Sequence, residues 1–274
     1  MIEISSFSHQ GHKRKNNEDS YLVIPPWKEP ALTAKICLFA VADGVGGHVS
    51  GEIASKLAVS SLFESVSGMN GQGQEFSSSI VETMVTDANH SLRNHIKIHP
   101  ECDGMGTTLT AAAVSSSSAI IGHVGDTRAY LLRDGTLQQI TRDHTLVSEQ
   151  VRLGSLTPEQ AQTHPGRHIL SRVMGPREFI NVDIYQIDLK VGDIITLLSD
   201  GITGLVPDDE IRKLLSEDSA FAKKAELLVD KANQAGGVDN STAVIFKINE
   251  IPVNFPAKFS VERAKAVIGD YMRG

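Results

Sequence analysis

Between Leu109 and Ile140 four short apolar runs follow one another with only a few residues between them, at 109–114, 118–124, 129–133 and 137–140. Parallel neighbours need a crossover of a dozen residues or more, so runs spaced this closely can pair only antiparallel. Arg133-Asp134-Gly135-Thr136, between the last two, carries the Asp-Gly pair of a tight hairpin. Further strand-like runs lie early, at 2–7, 21–24 and 35–42, and late, at 182–188, 193–198 and 242–248. The chain is therefore expected to build antiparallel sheets and not alternating βαβ units.

Two long amphipathic stretches separate the early strands from the middle group. Over 52–66 the apolar positions Ile53, Ala54, Leu57, Ala58, Leu62 and Phe63 share one helical face, and over 75–98 Ile80, Met84, Val85, Ala88, Leu92 and Ile96 do the same. Late helices are expected over 207–215, with Pro207 in an N1-like place, and over 219–234. Paired helices packed outside such sheets make a layered α+β domain. The Pro-rich stretch 24–30, with Trp27, reads as an extended surface loop. The stretch 143–175 reads as a long connection with short helical turns. After Pro252 and Pro256 a last helix over 260–272 reads as an appendage, which divides the chain into a domain over 1–248 and an extension over 249–274.

A chain of 274 residues, 41% hydrophobic and 22% charged, suits a soluble globular protein. There is no basic block and no aromatic-basic interleaving, which argues against a nucleic-acid partner. No apolar run approaches the roughly 18 residues a membrane span needs. The first residues lack a basic segment followed by an apolar one. Its two cysteines, Cys37 and Cys102, have no CxxC neighbour, so no disulfide framework or zinc knuckle is indicated. Cys37 reads as a buried thiol. A cytoplasmic, reduced, monomeric protein is expected.

The chemistry sits where apolar runs stop. Phe39-Ala40-Val41-Ala42-Asp43-Gly44 and Thr196-Leu197-Leu198-Ser199-Asp200-Gly201 share one form, and Gly125-Asp126-Thr127-Arg128 and Gly237-Val238-Asp239-Asn240 add two more acidic stops. Carboxylates gathered from distant parts of a chain repel one another unless a cation or a proton offsets them. Gly11 to Asp19 supplies what else a phosphate site needs: Glu18 and Asp19 as hard oxygen ligands, and Arg14 as a planar fork for two phosphate oxygens. Glu18, Asp43, Asp126, Asp200 and Asp239 would account for most of the net charge of −7.

With these pieces the chain resembles a bacterial-type member of the metal-dependent protein phosphatase 2C (PPM) family. The matching segments come in the family's order: GHKRKNNEDS from Gly11, FAVADGVGGH from Phe39, GTTLT from Gly106, GHVGDTRAYL from Gly122, TRDH from Thr141, ILSRVMG from Ile169, IITLLSDGITG from Ile194 and GVDNSTAVIF from Gly237. Each is weak alone; together, in order over about residues 2 to 248, they are a specific signal.

The resemblance implies a sandwich of two antiparallel sheets with a helix pair on each outer face and a metal cleft at one edge. It implies a serine/threonine phosphatase acting on phosphoserine and phosphothreonine proteins, made by a cognate kinase, through water that bridges two Mg²⁺ or Mn²⁺ ions. One ion would be held by Asp43, Asp200 and Asp239, and the other by Glu18, Asp43 and the Gly44 carbonyl. A third, weaker site would involve Asp126 and Asp200. Arg14 would grip the phosphate, while Asp19 and Asn240 would support the ligands. All-oxygen ligation suits Mg²⁺ or Mn²⁺ over zinc. No GxSxG, HExxH, P-loop or EF-hand pattern competes.

Animal-type members carry a histidine directly after the first Asp-Gly; here that residue is Val45, and His48 stands three further on. His48 is a candidate general acid, against metal-bound water in that role and against a structural or helix-start role. A non-catalytic phosphoprotein-binding module on the same fold is the alternative reading, and a phosphatase for small phosphate esters is a third. Asp126 could instead make a local turn salt bridge. His95 and His99 read as complements to a helix C-terminus, Asp143 and His144 as structural, and His164 and His168 as solvated loop histidines.

Overall fold

The computed structural model describes residues 2–25, 37–45, 50–69, 76–115 and 117–250. Trp27, His48 and the expected helix over 260–272 lie outside the described residues. The first half of the chain runs β1 (Ile2–His9), β2 (Asp19–Ile24), β3 (Cys37–Val45), α1 (Ser50–Gly68), α2 (Ser78–Ile98), β4 (Gly106–Thr107), β5 (Leu109–Val114), β6 (Ser118–Val124), β7 (Arg128–Arg133) and β8 (Thr136–Gln139). The second half runs α3 (Leu146–Arg152), α4 (Pro158–Thr163), β9 (Asp183–Asp188), β10 (Ile194–Leu198), α5 (Asp200–Thr203), α6 (Asp208–Ser216), α7 (Lys224–Gln234) and β11 (Ser241–Ile248).

The strands form two sheets, β1-β11-β10-β7-β8 and β2-β3-β5-β6-β9, with β4 added beside β3. Every strand pairing in both is antiparallel, and for β5–β6 and β7–β8 the short connection requires it. Strand β3 shows why the sheets stack. Its side chains alternate faces, as pleating dictates. Phe39 and Val41 turn to the space between the sheets, and Leu38, Ala40 and Ala42 turn to α1 and α2. Between the sheets Phe39 stacks on Phe246, with ring centroids 4.1 Å apart. On the far side Ala243 and Ile245 of β11 meet Ile211, Leu214, Leu228 and Val229 of α6 and α7. Three apolar layers thus hold four layers of structure, the expected α+β sandwich with a helix pair on each outer face.

Local differences have physical causes. Helix α2 begins at Ser78 because the Ser77 hydroxyl accepts the Ile80 amide as its cap. Pro207 sits one place before α6, as its N-cap. The Asp-Gly pairs do not behave alike. Asp43 and Gly44 stay inside β3, where Gly44 pairs with Thr107 of β4. Asp200 and Gly201 instead open the short helix α5. Among the described residues no helix is long and apolar enough to cross a membrane.

Candidate active site

Asp43 faces Asp19 across the β2–β3 pair, so the sheet register alone brings two carboxylates and the adjoining Glu18 to one edge. Hydroxyls lock the end of β3. The Asp43 amide donates to Thr108 Oγ1 at 3.0 Å, and the Thr107 hydroxyl donates to the Asp43 carbonyl at 2.9 Å. The Thr108 hydroxyl in turn meets that of Thr127, beside Asp126, at 2.6 Å. Gly44 has to be glycine: a Cβ there would overlap the Gly51 carbonyl in the first turn of α1 and lie 2.7 Å from the Glu18 carbonyl. That close approach sets the α1 N-terminus beside Glu18, where a Cβ on Gly51 would come 2.7 Å from Glu18 Oε2.

Asn240 organises the opposite wall. Its Oδ1 accepts the Glu18 amide at 2.9 Å, and its Nδ2 donates to the carbonyls of Gln10 at 2.8 Å and Asn16 at 2.9 Å. One side chain thereby fixes both ends of the exposed turn that presents Arg14. Arg14 Nη2 donates to Asp239 Oδ2 at 2.6 Å, and the other Asp239 oxygen accepts the Asn240 amide at 2.8 Å. Asp19 is buried and accepts the Ser199 hydroxyl at 2.8 Å, which ties it to the residue before Asp200.

These groups line one cleft of about 530 Å³: Arg14, Glu18, Asp43, Asp126, Asp200 and Asp239, with the Gly44 backbone beside them. Val45, His168, Leu170 and Val238 complete its walls. A neighbouring hollow of about 320 Å³ shares Asp126, His168 and Asp200 with it and runs beside α3 and α4. Every sequence-expected site residue that is described reaches this cleft or directly supports it. Asp126 does not make the local turn salt bridge: Arg128 pairs with Asp143 instead, Nη2 to Oδ2 at 2.7 Å. His95 and His99 sit at the C-terminal end of α2, as expected, with the His99 amide on the His95 carbonyl.

The electrostatics state the problem such a cleft must solve. Burial, followed by Asp19, Asp200 and Asp126, holds the Asp43 carboxyl well above the usual carboxylate range. Burial and Asp200 push Asp126 up to about 8. Burial and Asp239 raise Asp200, and burial outweighs Arg14 in raising Glu18. Asp200 Oδ1 and Asp19 Oδ1 are buried with no hydrogen-bond partner among the described residues, an arrangement that costs free energy unless something binds there. Among the described residues no three His, Cys, Asp or Glu side chains form a ready-made cation cage. The carboxylates that line the cleft are an all-oxygen donor set short of cations, which fits ions that bind through one or two carboxylates and keep much of their water. Residues that could hold them are Glu18, Asp43, Asp126, Asp200 and Asp239.

Residues 9–238 match the family described as protein phosphatase 2C. The chain belongs to the protein phosphatase 2C family. It is 37% identical over 254 residues to the protein phosphatase PhpP of Streptococcus pneumoniae, covering 91% of this chain and 98% of PhpP. Among solved structures it is similar to the serine/threonine phosphatase Stp1 of Staphylococcus aureus, with a TM-score of 0.83 and 32% identity over 91% of this chain and 96% of that one. It is also similar to the catalytic domain of the serine/threonine protein phosphatase PstP in complex with two manganese ions, with a TM-score of 0.77 and 32% identity over 91% and 99% of the two chains. The protein phosphatase 2C fold here carries two features that sequence reading missed. Thr107, Thr108 and Ser199 lie in recognised segments, but the hydroxyl bonds by which they fix Asp43 and Asp19 act across 64, 65 and 180 positions, so the sequence does not show what each one holds. Leu170 and Val238 on the cleft wall look in the sequence like ordinary loop hydrophobics.

Proposed function

We propose that this chain is a divalent-metal-dependent protein phosphatase that removes phosphate from phosphoserine and phosphothreonine in proteins. The observation that carries the reading is the meeting of one permanently charged fork, Arg14, with five carboxylates in a single cleft. Family membership and the phosphatase relatives support it. Glu18, Asp43, Gly44, Asp200 and Asp239 would hold two ions, Asp43 contributing to both, and Asp126 and Asp200 would hold a third. Mg²⁺ or Mn²⁺ suits this oxygen donor set. Bound there, the ions would acidify water at neutral pH and offset phosphate charge.

The chain's own residues do the rest. Arg14 gives one edge to Asp239 and directs its remaining N–H groups at two phosphate oxygens. Asn240 keeps the Arg14 turn and Glu18 in one frame, so phosphate and ligand sites hold a fixed distance. Asp19, held by Ser199, faces Asp43 across the β2–β3 pair. His48 is assigned the proton for the leaving serine or threonine oxygen, with metal-bound water as the competing donor, since Val45 cannot supply it. A His48→Ala variant should then lose more activity on phosphopeptides than on aryl phosphates with good leaving groups; equal losses would remove that role.

Substrates are phosphoproteins made by a cognate serine/threonine kinase, met in the cytoplasm by a monomer, without nucleic acid or membrane. The extension over 249–274 is outside the catalytic domain. The rival, a non-catalytic phosphoprotein-binding module, is disfavoured because no proposed ligand has been lost. Phosphate release from a phosphothreonine peptide by the whole chain decides between them. Multiple turnovers support the enzyme; stoichiometric peptide binding without release would establish the rival.

A further inference from the structure

His144 and Gly125 are joined twice. The His144 amide donates to the Gly125 carbonyl at 2.7 Å, and the Gly125 amide donates to His144 Nδ1 at 3.0 Å. Nε2 of the same ring stands 3.1 Å from Asp183 Oδ2 on β9, and the His144 carbonyl accepts the Ser171 amide at 2.8 Å. Arg172 closes on the other Asp183 oxygen at 2.6 Å. One buried residue therefore gathers the loop carrying Asp126, both ends of the long 143–175 connection, and the edge strand β9. Its ring lies against that of His123, with centroids 4.6 Å apart.

The loop it holds is already tight. Gly125 has φ of +113°, where only glycine is comfortable, and a Cβ there would run into Thr108. Thr108 is the residue whose hydroxyl accepts the Asp43 amide. His144 thus presses the Asp126 loop onto the side chain that locks Asp43. The bond directions also fix the tautomer. A backbone N–H can only donate, so Nδ1 accepts and the ring hydrogen sits on Nε2, aimed at the Asp183 carboxylate.

We propose that His144 is a positioning residue for the phosphatase reaction: as its Nε2–H tautomer it sets the Asp126 loop against Asp43 and closes the base of the 143–175 connection on β9. The proposal rests on the phosphatase reading above. It assigns the Nδ1 acceptor to the active site and the Nε2 donor to the scaffold, so the two ends of the ring can be tested apart. In His144→Asn the amide oxygen can take the place of Nδ1 and keep the Gly125 bond. In His144→Gln the amide falls near Nε2 and keeps Asp183 but abandons Gly125.

His144→Asn should keep kcat on a phosphothreonine peptide within about threefold, whereas His144→Gln should lose roughly 10- to 100-fold in kcat with little change in KM. Its half-saturating Mn²⁺ concentration should rise. Melting temperatures should fall by similar amounts in both, which separates positioning from stability. Equal kcat losses that track the melting temperatures would overturn the proposal. Nitrogen-15 spectra of the wild-type imidazole give a readout that needs no turnover. A neutral ring with hydrogen on Nε2 is expected, and hydrogen on Nδ1 would overturn the proposal even if the enzyme is an active phosphatase.

Discussion

Arg14 commits Nη2 to Asp239, while no described residue takes its Nε or Nη1. The side chain is half exposed, at 51%, so a ligand can reach the free edge of the fork. Replacing it removes charge-assisted hydrogen bonds worth about 1.5–3 kcal/mol, and Arg14→Ala should lower kcat/KM on phosphopeptides by roughly 10- to 100-fold, mostly through KM. Arg14→Lys should recover only part, because an ammonium cannot grip two oxygens in parallel. A steady-state comparison of the three proteins checks this. At this scale the acids were legible, since Asp43, Asp126, Asp200 and Asp239 each follow a recognisable apolar run or glycine. The groups that aim them were not. Thr108 and Ser199 are ordinary hydroxyls in strand-like surroundings until the sheets bring them to partners far away in sequence.

Strand β3 carries the most demanding element-level task. It is buried on both faces and still delivers Asp43 and Gly44 to an open cleft. Its rigidity comes from the layer between the sheets, where Phe39 stacks on Phe246 and both are fully buried. Phe39→Ala should cost about 3–5 kcal/mol of stability. Urea unfolding should show an earlier midpoint, and the loss of activity should follow the loss of folded protein instead of preceding it. The apolar runs predicted nearly all the strands, because a strand buried on one or both faces announces itself by composition. Strand β4, only Gly106–Thr107, was too short to announce anything. The strand-like reading of 35–42 ended at Ala42 because Asp-Gly usually marks a turn. Pairing with β4 carries β3 on to Val45, and that extra length places Gly44 at the cleft.

The molecule as a whole works by closing two sheets around a greasy middle while their edges assemble a polar cleft from six segments distant in the chain. Buried imidazoles contribute to its pH response. Burial, then His144, depresses His123 from the ordinary 6.5 to about 4. The unfolded chain therefore binds a proton that the folded one refuses between these values, so stability rises with pH across this window. On the order of 3 kcal/mol should be present above pH 6.5 and lost as pH falls through 4. The raised carboxylates of the cleft act in the opposite direction over the same range. The His123 contribution is therefore read as the stability of wild type minus that of a His123→Asn variant from pH 7 to 4.5, a difference that should shrink as pH falls. The overall architecture was legible because closely spaced runs allow only antiparallel pairing and the paired helices need two outer faces. The role of His144 was not, because its partners Gly125, Ser171 and Asp183 meet only in the finished fold. Phosphate release from a phosphothreonine peptide, measured with Mn²⁺ present and with Mn²⁺ chelated, for the wild type and for Asp43→Asn, tests the central claim most directly. Metal-dependent turnover that falls by roughly a hundredfold in a folded Asp43→Asn protein is the predicted result; turnover indifferent to chelation, or undiminished in Asp43→Asn, would contradict it.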